Sequence, residues 1–502
     1  MSKSSIIRIV ALVAAAASTM WLSACADERP VHIRVLAIND LHGALESTPD
    51  PSDPTRLVGG VAVLKAAMDS AESQCGCLTL RVDAGDQMQG TLLSNLSYGS
   101  AAVAALNLLG IDAAAIGNHD FDWSVDTLRA RMAEAQYEWL AANVFDSVTG
   151  VRPSWAKPYH VVDLPGLRVA YIGMVTSQTK QIVYAPRVAG LTFGSGRAAV
   201  EDVLGQVRRE NPDLTILTAH AGGACDDTTC RGEIISLARE LDPGEVDLIV
   251  AGHRHRGMKT VVNGIPIIQA GANGAALGIV DLFRQGAEGW RAEVRVQRVF
   301  ADEVTPDVQM QELVTTLGGT AETLASRSVA TLAAAPSREE LGNLIADSQR
   351  QFAEADVALM NFGGVRAPLP AGPVTYGMLY SVMPFGNELW RLTISGSELL
   401  RLLEQTLGGV SVSGVQIRVY GDPDAGNRIA SAHVGGQPIA DGDTYSLAVS
   451  NFLAEGGDGL SILTDLPRED IGVTTLDALI WHLQAAPQPF VIPSNPRIVT
   501  VD

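Results

Sequence analysis

Positive charge is what this 502-residue chain has too little of: 36 Lys and Arg stand against 56 Asp and Glu, a formal net charge of −20. That deficit argues against a nucleic-acid polymer as partner, since such binding rests on Lys and Arg neutralising phosphates. A local cationic pocket is still compatible with it. Long apolar runs are also scarce. The stretch Ile9 to Leu22 is too short to span a bilayer comfortably, and no other run is long enough to cross one. Cysteine is rare, with five residues in all. There is no internal repeat and no low-complexity tract beyond an Ala-rich leader. What the chain does have is 47% apolar residues, enough for a packed core, and the length for two or three domains.

Lys3 and Arg8 precede the Ile9 to Leu22 stretch, which has the proportions of a secretory leader and runs into Leu22-Ser23-Ala24-Cys25. This tetrapeptide resembles the bacterial lipoprotein box, in which Cys25 would carry lipid and become the first mature residue. A lipid-bearing terminus would anchor the protein without a transmembrane helix. The expected location is therefore the periplasmic side of a bacterial membrane or the cell surface. Four cysteines then remain, and an even count in an exported chain suggests disulfides. Cys225 with Cys230 closes a small loop and is the preferred pair; Cys75 with Cys77 follows only by subtraction. A zinc knot is the alternative, although the pairs lack regular CxxC spacing.

Apolar runs alternate with helical patterns over the first three hundred residues, the signature of an α/β domain. Strands are expected at Val31 to Ile38, Leu78 to Val82, Leu167 to Val175, Leu214 to Thr218 and Asp247 to Val250. Helices are expected at Gly60 to Ser73, Ala101 to Leu109, Arg197 to Glu210 and Glu233 to Leu241. Pro and Asp mark a loop from Thr48 to Asp53. Five strand ends are polar: Asp40-Leu41-His42, Gly85-Asp86, Gly117-Asn118-His119-Asp120-Phe121-Asp122, His220 and Gly252-His253-Arg254-His255. Five of the nine His fall in these turns, and open α/β sheets gather ligands at the carboxyl ends of their strands.

Taken alone, the turn at Asn118 reads either as a polar turn with Asp122 capping a helix or as part of a metal site. The other four turns favour the site. Asp, His and Asn suit zinc, manganese, iron or cobalt and are too nitrogen-rich for calcium. Asp40, His42, Asp86, Asn118, His220, His253 and His255 are too many ligands for one tetrahedral ion. They suit two divalent ions sharing a carboxylate, a device that clamps both oxygens of a phosphoryl displacement. Two dications also leave the site cationic, which attracts a phosphate even to an acidic protein.

These ordered motifs resemble those of the calcineurin-like metallophosphoesterases. The later part of the chain resembles the C-terminal domain of the 5′-nucleotidases. Together they are similar to the bacterial periplasmic 5′-nucleotidase/UDP-sugar hydrolase family over about Val31 to Asp502. The resemblance implies a four-layer αββα metal domain, a linker helix and a second, α+β substrate-binding domain. The expected divisions are a leader at 1–24, the metal domain at 25–303, the linker at 304–336 and the substrate domain at 337–502. It also implies that Asp40, His42, Asp86 and His255 hold one ion, and that Asp86, Asn118, His220 and His253 hold the other. A metal-bridging hydroxide would attack in line. His119, oriented by Asp122, would stabilise the phosphoryl group or protonate the leaving oxygen; Asp120 is assigned nothing.

In the second domain Asn361, Arg366, Phe452 and Asp458 match the family's nucleoside and phosphate contacts. Their plainer readings are a tight turn at Asn361 and a core aromatic at Phe452. Arg338 lies near another phosphate-binding position, with spacing that does not fit cleanly. The family stacks the base between two rings, and the first is expected just before Val410, where Gly408 and Gly409 stand. The expected activity is release of phosphate from 5′-nucleotides. The alternatives are 2′,3′-cyclic or 3′-nucleotides, UDP-sugars, dinucleotide pyrophosphates, or an inactive surface binding lipoprotein. No obligate protein partner is expected.

Overall fold

The computed structural model describes residues 31–284, 289–421 and 428–501. Cys25 and its leader lie outside them. Among the described residues no helix is long and apolar enough to cross a membrane.

The strand Val31–Ile38 shows why the first domain is layered. Ile33, Val35 and Ala37 point into one core, while Leu36 and Ile38 point into another. Alternation along a strand sends successive side chains to opposite faces, so the wholly apolar second half of this strand, Val35 to Ile38, is covered on both sides. This strand sits inside a six-stranded sheet ordered Arg291–Arg298, Ala276–Arg284, Val31–Ile38, Leu78–Asp83, Ala113–Ala115 and Glu138–Leu140. A second six-stranded sheet runs Met258–Val262, Ile265–Gln269, Leu248–Ala251, Leu214–His220, Leu167–Val175 and Tyr159–Leu164. The two sheets share one core, in which Val35, Leu80 and Val82 lie with Tyr171, Ile216 and Val250. Helices Val61–Cys75 and Ser100–Leu109 cover the first sheet, and Gly196–Arg209 and Glu233–Glu240 cover the second. The architecture is therefore αββα.

Helix Val308–Ala325 sends Met310 and Val314 into the core beneath the first sheet. The following strand, Ser328–Leu332, pairs with Gly372–Thr375 and so already belongs to the second unit. Next comes helix Arg338–Phe352, which starts where it does because Ser337 and Glu340 form a reciprocal capping box. It packs on a five-stranded sheet ordered Val410–Ser413, Val357–Asn361, Thr444–Ser450, Glu388–Ser395 and Arg468–Thr474. One expectation fails locally. The loop at Thr48 to Asp53 is a hairpin, with Thr48–Asp50 pairing to Asp53–Val58.

Candidate metal centre and substrate cleft

Strands Val31–Ile38, Leu78–Asp83 and Ala113–Ala115 run parallel, as do Leu214–His220 and Leu248–Ala251. Their carboxyl ends therefore converge on one edge of the sandwich. Asp40, His42, Asp86 and His255 present ligand atoms that all lie within 4.8 Å of one another. His42 Nε2 stands 2.9 Å from His255 Nε2 and 3.7 Å from Asp86 Oδ2. His255 Nε2 is 3.2 Å from Asp40 Oδ1. On the other side of Asp86, His220 Nε2 lies 3.1 Å from Oδ2, and the His220 and His253 rings are 5.3 Å apart.

Backbone strain marks the same residues. Asp40, His42, Asp86, His253 and His255 have φ of 52°, 51°, 56°, 78° and 52°, in a left-handed region that non-glycine residues seldom enter. Such strain persists only where surrounding structure over-determines it. Here the turns lock each other: the backbone N–H groups of Asp40, His42 and Gly43 donate to the carbonyls of Gly85, Asp86 and Gln87.

The donors are aimed as well as gathered. His42 Nδ1 bonds the Gln89 carbonyl and His220 Nδ1 bonds the Ala84 carbonyl, each at 2.7 Å. Both Nε2 lone pairs are thereby turned inward, the arrangement that carbonyl partners impose on metal-binding imidazoles. Asp86 Oδ1 accepts from His119 N at 2.8 Å, which leaves Oδ2 for the site. Among the described residues Asn118 Oδ1 and Nδ2 are buried without a hydrogen-bond partner, and His220 Nε2 has only the Asp86 carboxylate beside it. Buried polar atoms left unpaired cost free energy, and a bound cation would satisfy the Asn118 oxygen and the His220 nitrogen. The residues present thus fit divalent metal.

Charges point the same way. Burial pushes Asp40 up, yet its hydrogen bond to His255 and the His220 charge hold it at about 2. Asp86 lies well below its ordinary value because His220, His119 and His42 outweigh burial. Burial keeps His42 well below its ordinary value and draws His253 down to about 3. His220 resists burial and rises to about 10 beside Asp86 and Asp40, so its Nε2 would have to give up a proton to take a cation. The cluster thus offers two carboxylates held ionised and two imidazoles held neutral.

Beside it, His119 Nδ1 meets Asp122 Oδ2 at 2.8 Å. Burial lowers the His119 pKa, but Asp122 and Asp86 reverse this and the net shift is upward. The helix that follows, Val125–Glu134, is capped by Ser124, whose side chain accepts from Thr127 N. Asp122 is therefore free of the capping role that the sequence also allowed. Asp120 does have a role. Its carboxylate accepts from the backbone N–H groups of Gly117, Asp86 and Gln87 at 2.8, 3.2 and 3.0 Å, tying two strand-end turns together. Its burial and the nearby Asp86 charge raise it to about 7.

Gly117 shows how tight this junction is. A Cβ there would lie 2.1 Å from Asp86 Oδ1 and 2.2 Å from Asp86 N. Gly117→Ala should therefore displace Asp86 and lower metal-dependent turnover by about 100-fold, as a misplacement near 1 Å can. Steady-state rates and bound-metal analysis check this; an activity within threefold of wild type would refute it.

The second domain reaches into the same space. Arg366 Nη2 comes to 3.4 Å from His42 Nε2 and 3.5 Å from His255 Nε2. A cavity of about 300 Å³ opens beside His255, lined by Arg338, Leu341, Val365 and Arg366. Arg338 Nη2 donates to the Phe362 and Val365 carbonyls, so it braces the Asn361 turn. Asn361 Nδ2 donates to Asp458 Oδ2 at 2.8 Å, and Asp458 has φ 54°. The Phe452 ring, half-buried, lies against Gly457, where a Cβ would come within 2.5 Å of it.

One aromatic escaped the sequence reading. Gly408 and Gly409 indeed leave no ring before Val410, but Phe385 faces the cleft from another segment. Its ring stacks on His119 at 5.3 Å between centroids and 29° between planes, with the Arg366 guanidinium 5.6 Å from its centre. Gln89 and Asn95 hold it there by donating to the Pro384 carbonyl at 3.1 and 2.8 Å. The only signal in the sequence was a Pro-Phe-Gly turn, which has many other uses.

Comparison with known proteins adds to this geometry. Residues 33–257 match the calcineurin-like phosphoesterase family, and residues 317–465 match the 5′-nucleotidase C-terminal domain. A 5′-nucleotidase of Vibrio cholerae is 29% identical over 481 residues, covering 85% of this chain and 86% of that protein. Endonuclease YhcR of Bacillus subtilis is 27% identical over 511 residues; the match takes in 94% of this chain but only 41% of that longer protein. Among solved structures, a 5′-nucleotidase precursor from Thermus thermophilus superposes with a TM-score of 0.83 at 25% identity, covering 94% of this chain and 99% of the other.

Proposed function

We propose, from the premise that this chain belongs to the 5′-nucleotidase family of metallophosphoesterases and is a metal-dependent phosphoester hydrolase, that it releases phosphate from 5′-nucleotides at a two-metal centre. One observation carries the reading. The His119–Asp122 pair, the cluster of Asp40, His42, Asp86 and His255, and two groups of the second domain, Arg366 and Phe385, lie against one another.

Asp40, His42, Asp86 and His255 would hold one divalent ion, and Asp86, Asn118, His220 and His253 the other, with Asp86 shared. When bound, such a pair activates water and neutralises phosphoryl charge. The chain's own residues do the rest. Arg366 offers a fork of donors to the phosphoryl oxygens. His119, its Nδ1 held by Asp122, presents Nε2 to the phosphoryl group or to the leaving ribose oxygen. Phe385 supplies the apolar face for a base that Gly409 does not, with Phe452 as the second ring. Asp458, steadied by Asn361, takes the ribose hydroxyls.

We also read the protein as exported and held to a membrane by lipid on Cys25. The paired Cys75–Cys77 and Cys225–Cys230 accord with an oxidising compartment. A Cys25→Ala protein should leave the membrane fraction; if it stays there, the anchor is wrong.

The substrate assignment is tested on purified protein with 5′-AMP, 3′-AMP, 2′,3′-cyclic AMP, UDP-glucose and a dinucleotide pyrophosphate, with and without chelator. Phosphate should appear fastest from 5′-AMP, stop with chelator and return with added divalent ion. Faster turnover of another ester would move the assignment to that ester. No chelator-sensitive hydrolysis of any of them would end the two-metal reading.

A further inference from the structure

A second set of reactive groups lies at the other end of the first sheet. His32 stands near the start of Val31–Ile38, while Asp40 and His42 follow its end, about 25 Å away at the usual strand rise. Cys75 closes helix Val61–Cys75, Gly76 turns the chain at φ 61°, and Cys77 leads into Leu78–Asp83. Ile33 pairs with Leu78, so His32 and Cys77 are brought side by side across the sheet.

Cys75 and Cys77 are joined in a disulfide, and both are half-buried. The Cys75 sulfur lies 3.8 Å from His32 Nε2 and 3.9 Å from Nδ1. The imidazole is fixed in place. It stacks on Phe283 at 4.4 Å, and its Nε2 is 3.0 Å from Asp281 Oδ1. Asp281 is in turn held by two hydrogen bonds from Arg34, of 2.8 and 2.9 Å.

Stability does not account for this bond. A disulfide stabilises mainly by closing long loops in the unfolded chain. This one spans a single glycine that already joins helix to strand. A positioned imidazole beside a sulfur is instead what thiol–disulfide exchange uses, because it favours a thiolate as leaving group. We propose that Cys75–Cys77 is an exchangeable disulfide that oxidises a dithiol of a protein or peptide, with His32 carrying the proton.

The step balances. A thiolate of the dithiol attacks the Cys77 sulfur, and the bond to Cys75 breaks. Cys75 departs with the electron pair and takes a proton from His32. The second thiol of the partner gives its proton to His32 and attacks its own neighbouring sulfur in the mixed disulfide, expelling Cys77 as thiolate, which is protonated by solvent. The partner loses two electrons and two protons, and the two cysteines gain them.

The test uses the full chain in graded glutathione buffers, with trapping of free thiols and peptide mapping by mass spectrometry. The glutathione adduct should sit on Cys77, not Cys75. His32→Gln should slow exchange at least about tenfold, the lower range for a lost proton-transfer group. Phosphate release by His32→Gln and by Cys75→Ser/Cys77→Ser should match wild type, which also reports that the variants are folded. An adduct on Cys75, a pair inert to glutathione or a rate indifferent to His32→Gln overturns the proposal. So does tight retention of zinc by the reduced pair, which would make this a metal site instead.

Discussion

Asp86→Asn should abolish measurable hydrolysis while leaving the fold intact. The substitution keeps shape and removes charge. Asn tolerates the left-handed φ of 56° that this position requires. Its side-chain oxygen can still accept from His119 N, the bond that Asp86 Oδ1 makes at 2.8 Å. What changes is the inward atom. Oδ2, 3.1 Å from His220 Nε2 and 3.7 Å from His42 Nε2, becomes an amide nitrogen with no lone pair for a cation. Both proposed ions lose their shared ligand. The expected loss is at least about 10³-fold in kcat/KM, about 4 kcal/mol of transition-state stabilisation. Elemental analysis should find less than the wild-type metal content, and the circular dichroism spectrum should be unchanged. Activity within tenfold of wild type, with full metal content, would mean that Asp86 does not bridge.

How far this centre could be read from sequence depended on where its residues sit. Asp40, Asp86, Asn118, His220 and His253 each follow an apolar run. One polar strand end has other uses, such as a turn or a helix cap, but five of them in a single α/β domain flagged these residues together. The strand Leu167–Val175 was legible to its boundaries because its apolar run, broken only by the half-buried Arg168, has the length of a strand covered on both faces. Asp120 was not legible. Its role is to accept N–H groups from Asp86 and Gln87, which the fold brings to it from a different strand end. Phe385 was hidden for the same reason on a larger scale. It faces His119 only because Gln89 and Asn95, nearly three hundred residues earlier, grip the Pro384 carbonyl. Asp122 was legible as one of two things, and the decision lay with Ser124, which takes the helix cap.

His119→Ala separates chemistry from metal binding at the very turn where the two adjoin. The hydrogen bond from His119 to Asp86 comes from its backbone N–H and not its ring, so alanine keeps that bond and the metal content should stay at the wild-type level. The ring makes the other contacts: Asp122 through Nδ1, the stack on Phe385 and an edge against His42. Removing it takes away the group proposed to face the phosphoryl oxygens, and turnover should fall by about 10²- to 10⁴-fold, the range for a lost positioned acid or base. KM should change little, because the proposed nucleotide contacts, Arg366 and Phe385, remain. Asp122→Asn should give a smaller loss of the same kind, since the ring stays but its tautomer is no longer fixed by a carboxylate. If His119→Ala loses metal in proportion to activity, the ring is a structural support of the centre. If turnover stays within threefold of wild type, the group that meets the phosphate is not His119, and the cavity beside Arg338 and Arg366 is where it must be sought.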